Sequence, residues 1–476
     1  MTKVEFSKRT NLIEQAVYKP SLQDVAEPNL YREIMPYREI PRVTFNHRHV
    51  PMDVPDEIWI TDTTFRDGQQ SRSPYTVDQM VKIFDFLHEL DNESGVIRQT
   101  EFFIYSKRDR EAVEKCLSKG YMYPEVTTWI RAKEEDFKLV KEIGIKETGI
   151  LVPCSDYHIF KKLRLSRKQA IEMYISIVKL ALHNGIIPRC HFEDITRADF
   201  YGFVVPFAVE LMKLSRETKI PIKIRTCDTL GLGVSYPGAA LPRCVQGIIY
   251  GLRHYAEVPS EWIEWHGHND FYKVVTNSTT AWLYGASAVN TSLLGIGERT
   301  GNCPLEAMVI EYTQLRGTTK NMKLEIITEI ANYFKRELKY QIPPRTPFVG
   351  DAFNKTRAGI HADGILKDEE IYNIFDTERI LNKPVVVTVG SHSGLAGIAV
   401  WMNKYFKLER ERRIDKRDPM VLKLKECIDK EYAKGRVTSF SDEELESLVT
   451  FFAEEEQSKY EVLDFNSPSF LERIRE

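Results

Sequence analysis

No two of the seven cysteines, at positions 116, 154, 190, 227, 244, 303 and 427, form a C-x-x-C pair. That excludes a zinc ribbon, an iron–sulfur ligand set and a disulfide framework, and predicts mostly buried thiols in a reducing compartment. Charge of one sign is also missing: the net charge of -3 leaves no electrostatic footprint for nucleic acid. No apolar run approaches the roughly 18 residues of a membrane span, and the opening stretch MTKVEFSKRTNLIEQ lacks the apolar core of a secretory leader. The expectation is a cytoplasmic protein whose partners are small molecules, with neither nucleic acid nor membrane among them. One further absence concerns fold. An open doubly wound sheet calls for a G-x-G-x-x-G turn after its first strand, and there is none.

With 476 residues, 42% of them hydrophobic, the chain has material for a large α/β domain plus a smaller region. Residues 1–57, punctuated by prolines at 20, 28, 36, 41, 51 and 55, read as an extended arm with short helical pieces. From 58 to about 320, short β-rich runs alternate with amphipathic helical patterns such as TVDQMVKIFDFLHEL, where Thr76 is the expected N-cap. The runs are IWITD at 58, QTEFFI at 99, EVTTWI at 125, TGILVP at 148, PRCHFED at 188, IKIRTCD at 222, WIEWHGH at 262 and SAVNTSL at 287. Eight such runs predict a closed (β/α)8 TIM barrel. Residues 321–476 read as a helical C-terminal region, joined through the Gly-, His- and Asp-rich stretch GIHADGILKDEEIYNIFD at 359.

Polar residues gather where the predicted strands end, the end at which such barrels build active sites: Asp62, Arg66, Glu101, Arg131, Ser155, Glu193, Asp228, His266 and Thr291. In a strand, residues i and i+2 face the same way, so His266 and His268 of WHGHND can present two imidazoles to one ion. His47 and His49 share that spacing but sit in the proline-rich arm without a nearby carboxylate, and read as structural. The loop TDTTFRDGQQ delivers Arg66, Asp67 and Gln70. A carboxylate opposite two neutral imidazoles makes a mixed N/O site suited to Mn²⁺, Mg²⁺, Co²⁺ or Zn²⁺. Arg66 beside it reads either as an oxyanion or carboxylate grip or as a salt bridge closing the barrel mouth. Glu193 and Asp194 read as a general base with its partner, or as two solvated carboxylates. LLGIGERTGNCPLE lacks the G-K-[ST] ending of a phosphate loop, so its glycines read as turn formers presenting Glu298 and Asn302.

Taken in order, TTFRDGQQ, HGHND, GIGERTGN and GIHADGILK resemble the metal-dependent Claisen-condensing barrels, a family that includes 2-isopropylmalate synthase and homocitrate synthase. The resemblance implies a (β/α)8 barrel that adds the methyl carbon of acetyl-CoA to the keto group of a 2-oxo acid. It also implies a divalent metal, Mn²⁺ foremost, on Asp67, His266 and His268, with Asn302 as a further contact. Arg66 would stabilise the developing oxyanion, and Glu193 and His361, with Tyr372 close behind, would activate acetyl-CoA. Gln70, Glu101, Arg189 and Thr229 fall among the expected substrate contacts. From the arm and the helical tail the protein is expected to be a homodimer, with His361 serving either its own active site or a neighbour's, as in related dimeric enzymes.

Departures narrow the acceptor. Fewer than 80 residues follow position 400, too few for a leucine-binding domain. His191 stands where homocitrate synthases carry serine, and EFFIYSKRD replaces their Gly/Pro or Thr/Ser-rich second-strand ending. These features, with the arm PNLYREIMPYREIPRVTF and the stretches SDYHIFKKL and HFEDITRADFYGFVVPF, resemble the branch that forms citrate from oxaloacetate. His191, Arg131 and Arg189 are then candidates for the second carboxylate of that acceptor. Three other readings fit less well. A hydrolase of the amidohydrolase type carries its H-x-H pair on the first strand, a hydroxyacyl-CoA lyase is expected to lack the helical region bearing His361, and a scaffold barrel has no use for metal ligands.

Overall fold

The computed structural model describes residues 4–7, 12–15, 20–131, 134–408 and 412–460. Parts of the expected arm (1–3, 8–11, 16–19) and of the expected C-terminal region (409–411, 461–476) lie outside them. The chain divides into two compact units, Met1–Lys323 and Leu324–Glu476.

In the first unit, β1 (Trp59–Asp62), β2 (Ile97–Phe102), β3 (Glu125–Ile130), β4 (Glu147–Leu151), β5 (Ile187–Phe192), β6 (Lys223–Asp228), β7 (Ile263–Gly267) and β8 (Ala288–Thr291) form a closed barrel. Every pairing is parallel, and β8 closes onto β1 through Ala288–Trp59 to Thr291–Asp62. This is the predicted (β/α)8 architecture, each strand lying within a few residues of its sequence run. Outward strand positions such as Ile60, Ile150, Ile224, Trp265 and Val289 are fully buried. The helix after β1, α1 (Val77–Asp91), shows how the outer layer is specified. Thr76 and Gln79 form a reciprocal capping box, Met80, Ile83, Phe84, Leu87 and Leu90 face inward, and Asn92 ends the helix in the left-handed region. Burying each such large side chain contributes about 1.5–3 kcal/mol.

The lumen is polar, where barrels of this kind usually stack Val, Ile and Leu. Arg189 on β5 donates to Gln99 and Glu101 on β2 and to Thr127 on β3, and ion-pairs with Glu147 and Glu264. Bonds that skip neighbouring strands must cross the interior. Arg225 joins Glu264 to Glu101, and Lys223 joins Glu147. Arg189, Lys223 and Arg225 thus balance Glu101, Glu147 and Glu264, and buried charge is tolerated only when paired in this way.

The arm differs from its expectation. Among the described residues, 20–57 form turns and extended chain without a helix, and Val4–Ser7 pairs antiparallel with Leu12–Gln15. Prolines deny 20–57 the successive N–H donors a helix needs. Its ties to the barrel include Asn29 N–H to Asp156 and the Tyr157 hydroxyl to the Leu30 carbonyl.

The second unit is mainly helical, as expected, with long helices at Ile326–Arg336, Leu395–Tyr405, Pro419–Ala433 and Asp442–Tyr460. Its core gathers Ile398, Trp401, Met402, Leu424, Ile428, Leu445 and Val449. A short parallel pair, Lys355–Thr356 with Val386–Val387, was not anticipated.

Candidate metal centre and active site

β1 runs into a π-helical turn, Thr64–Gly68, a local geometry that recurs at functional sites. The Thr63 hydroxyl accepts from the Asp67 amide, which aims the Asp67 side chain across the barrel mouth. His266 lies in β7 and His268 one residue beyond it, on the same face. The loop after β8 brings in Asn302, its amide bonded to the Gly295 carbonyl. Gly301, at φ +88°, is required there, because a Cβ would sit 2.1 Å from that same carbonyl oxygen.

These residues converge. His266 Nε2 and His268 Nε2 are 3.3 Å apart, and Asp67 Oδ2 lies 3.8 Å from the first and 3.7 Å from the second. A point equidistant from the three atoms is about 2.1 Å from each, the bond length that Zn²⁺ or Mg²⁺ makes to nitrogen and oxygen ligands. Among the described residues this is the group of three or more His, Cys, Asp or Glu ligands close enough to hold one ion. The protonation states fit as well. Asn290 donates its amide to Thr61, so its Oδ1 accepts from His266 Nδ1–H at 2.8 Å, leaving the Nε2 lone pair directed at the site. Burial pushes His266 down to about 3 against the pull of Asp67, and lowers His268 too, so both imidazoles are neutral. Burial alone would raise Asp67, yet the Arg66 guanidinium and the Asn302 amide hold it below the usual carboxylate range, ionised. Asn302 donates Nδ2–H to Asp67 Oδ2 at 2.7 Å, and its buried Oδ1 has no hydrogen-bond partner. The donor set fits a divalent cation.

Arg66 borders this group. Its Nη1 donates to Asp67 Oδ1 at 3.1 Å and its Nε to Glu101 Oε2 at 2.8 Å. Glu101, 1% exposed, also accepts from Thr63, Arg189 and Arg225. Burial would raise its carboxyl, but the guanidinium groups of Arg225, Arg66 and Arg189 hold it well below the usual range, a fixed anion orienting Arg66. His191 points inward from β5 with Nε2 3.5 Å from Glu101 Oε1, and burial with Arg225 keeps it neutral. Its imidazole occupies the space a side chain at Gly149 would take, where a Cβ would lie 2.6 Å from His191 Nε2 and 3.0 Å from Trp129 Cδ1.

The other expected residues are placed unevenly. Glu193 follows β5, with Oε2 3.2 Å from His158 Nδ1 and 3.9 Å from Lys162. Thr229 follows β6 and accepts from the Asp194 amide. Arg189 lies in the lumen network described above, 2% exposed. Arg131 is exposed, paired with Asp136 and stacked on Tyr105. Gln70 is exposed, whereas its neighbour Gln69 is buried, donating to the Phe65 carbonyl and accepting from the Tyr75 amide. His361 and Tyr372 belong to the second unit, with ring centroids 4.3 Å apart. His47 and His49 are exposed on the arm. The sequence reading missed Arg225, Glu264, Trp129 and His158. Arg225 and Glu264 share the inward phase of their strands with Cys227 and His266, which was the available signal.

Two neutral imidazoles and a carboxylate at the C-terminal mouth of the barrel define a metal-binding (β/α)8 barrel. The chain belongs to the HMGL-like family, whose model matches residues 57–334. It is 64% identical over 438 residues to the Citrate (Re)-synthase of Clostridium kluyveri, covering 92% of this chain and 97% of that one. Identity to the Citrate (Re)-synthase of Syntrophus aciditrophicus is 56% over 428 residues, covering 90% and 68%. The 2-phosphinomethylmalate synthase of Streptomyces hygroscopicus is 35% identical over 443 residues, covering 92% and 99%.

Proposed function

We propose that the protein is an acyltransferase joining the acetyl group of acetyl-CoA to oxaloacetate, giving citrate and CoA by a metal-dependent Claisen condensation of the Re type. The observation that carries this reading is 64% identity, across nearly the whole chain, to a citrate (Re)-synthase. The Asp67, His266 and His268 cluster supports it independently. In this reading those three residues hold the cation with Asn302 as a further contact, Mn²⁺ being the ion among those that mixed N/O sites accept. A divalent cation there supplies Lewis-acid polarisation of the acceptor's keto group.

The chain's own residues do the rest. Arg66, braced by Glu101 and Asp67, meets the keto oxygen as negative charge develops, a preorganised donor of the kind that contributes most in a site shielded from water. Glu193 takes a proton from the acetyl methyl group, and His361 and Tyr372 assist acetyl-CoA activation. Gln70, Arg131, His191 and Thr229 line the approach of the acceptor, His191 meeting its second carboxylate. Arg189 and Glu101 act beneath them, fixing the groups that touch it. The arm at 1–57, the barrel at 58–320 and the helical region at 321–476 are the working divisions. A cytoplasmic homodimer is the working state.

The test is CoA release from acetyl-CoA by metal-loaded protein with oxaloacetate, 2-oxoglutarate, 2-oxoisovalerate or pyruvate at matched concentration. Oxaloacetate alone is expected to release CoA rapidly and yield citrate. EDTA is expected to abolish that activity, and Mn²⁺ to restore it in the parent but not in Asp67→Asn. Faster turnover of 2-oxoglutarate or 2-oxoisovalerate refutes the acceptor assignment.

A further inference from the structure

We propose that His158 is a positioning residue for Glu193, fixing its carboxylate by donating Nδ1–H to Oε2. This rests on the reading of Glu193 as the base that deprotonates the acetyl methyl group.

The placement is built in. His158 sits on a π-helical turn, Tyr157–Leu163, in the loop after β4. Asp156, just before it, is fully buried and held by two Arg167 nitrogens, at 2.9 and 2.7 Å. Tyr157 is pinned by the Leu30 carbonyl and by the Arg197 guanidinium 4.0 Å from its ring centroid. His158 and Lys162, four apart on this turn, both reach Glu193 Oε2.

His158 Nδ1 and Glu193 Oε2, 3.2 Å apart, are both buried atoms without a hydrogen bond. Native structures rarely leave such atoms unsatisfied, and here each is the other's nearby complement. The far side of the ring is defined too. His158 Nε2 lies 3.8 Å from Asp194 Oδ2, and Asp194 is fully buried and bonded to Ser155 and Arg197. Glu193 Oε2 is the nearer carboxylate oxygen and Asp194 is already engaged by Ser155 and Arg197, so the hydrogen belongs on Nδ1, where it donates to Glu193 Oε2. When the methyl C–H bond breaks, its electron pair stays on carbon as the enolate and the proton goes to Glu193 Oε1. Oε2, held by Nδ1–H, keeps the carboxyl group aimed at the methyl carbon throughout. Asp194 and Lys162 are the charged groups facing the pair. Cys154, Tyr174 and Cys227 also act on Glu193, but burial raises all three, so they stay neutral.

The experiment uses the full-length, metal-loaded protein with oxaloacetate and acetyl-CoA, the latter also as its trideuteromethyl form. His158→Phe is expected to lower kcat at least tenfold, less than the roughly 10²–10⁴-fold that a general base itself contributes, while KM for oxaloacetate changes less than threefold. Its deuterium isotope effect is expected to rise as proton removal becomes limiting, and His158→Gln, which keeps a polar atom, to recover part of the rate. In a Glu193→Gln background His158→Phe is expected to cost no more than twofold. The Gln variant carries the test if the Phe variant does not fold. Wild-type kcat and isotope effect in the variants, or a loss confined to KM, overturn the inference alone. Absence of citrate from the unsubstituted protein overturns the proposed reaction and this inference with it.

Discussion

Gly149→Ala tests the relation between β4 and His191. The glycine has no unusual backbone conformation, so its lack of a side chain serves space alone. An added Cβ would stand 2.6 Å from His191 Nε2, 2.9 Å from its Cε1 and 3.0 Å from Trp129 Cδ1. Ordinary contact needs about 3.5–4 Å, so the imidazole must retreat by roughly 1 Å. His191 is 1% exposed and its Nε2 lies 3.5 Å from Glu101 Oε1, so its retreat is opposed. Overpacking of this kind costs about 1–3 kcal/mol. Urea denaturation is expected to show that loss in the single variant and to show less than half of it when His191 is also Ala. If His191 meets the acceptor, KM for oxaloacetate rises about tenfold for each 1.4 kcal/mol of lost contact. An equal stability cost in both backgrounds refutes the clash with His191 and leaves Trp129 as the obstructing group.

Two further substitutions test buried charge. Burial raises Glu306 to about 7 from 4.5, against the pull of the Leu294 amide it accepts from. The folded state then binds the proton more tightly, so its contribution is complete below about pH 4.5 and is lost as pH climbs through about 7. Glu306→Gln keeps the acceptor, and urea denaturation is expected to show a gain of up to about 3 kcal/mol at pH 8 and under about 1 kcal/mol at pH 5. Arg225→Met strips Glu101 and Glu264 of a shared partner inside the lumen. A loss of about 3–5 kcal/mol is expected, partly recovered by adding Glu264→Leu, and a loss under 1 kcal/mol would show the lumen to be well hydrated.

The barrel was legible because its strands are short and β-rich and its helices carry their own caps, so local preference and global fold agree. His266 and His268 were legible because a strand's two-residue period survives into three dimensions. The β1 loop was less so. It folds as a π turn, which holds one more residue than an α turn, and that rotation buries Gln69 and exposes Gln70. His158 lies 35 residues before Glu193, and no pattern along one dimension links a loop after β4 to the end of β5. The lumen network hid because Arg225 and Glu264 sit in runs that read as ordinary buried strand. In the sequence, Arg131 marks a strand end, but its guanidinium had a nearer partner in Asp136.

The charge-neutral lumen divides the barrel for anyone redesigning its chemistry. Below Glu101, Arg189, Lys223, Arg225, Glu147 and Glu264 each answer to more than one neighbour or to a buried partner, so single replacements there are paid for in stability. Above it, Trp129, Gly149 and His191 meet through shape. If His191 meets the acceptor, retuning that choice is a matter of carving one storey while the foundation is left as cast.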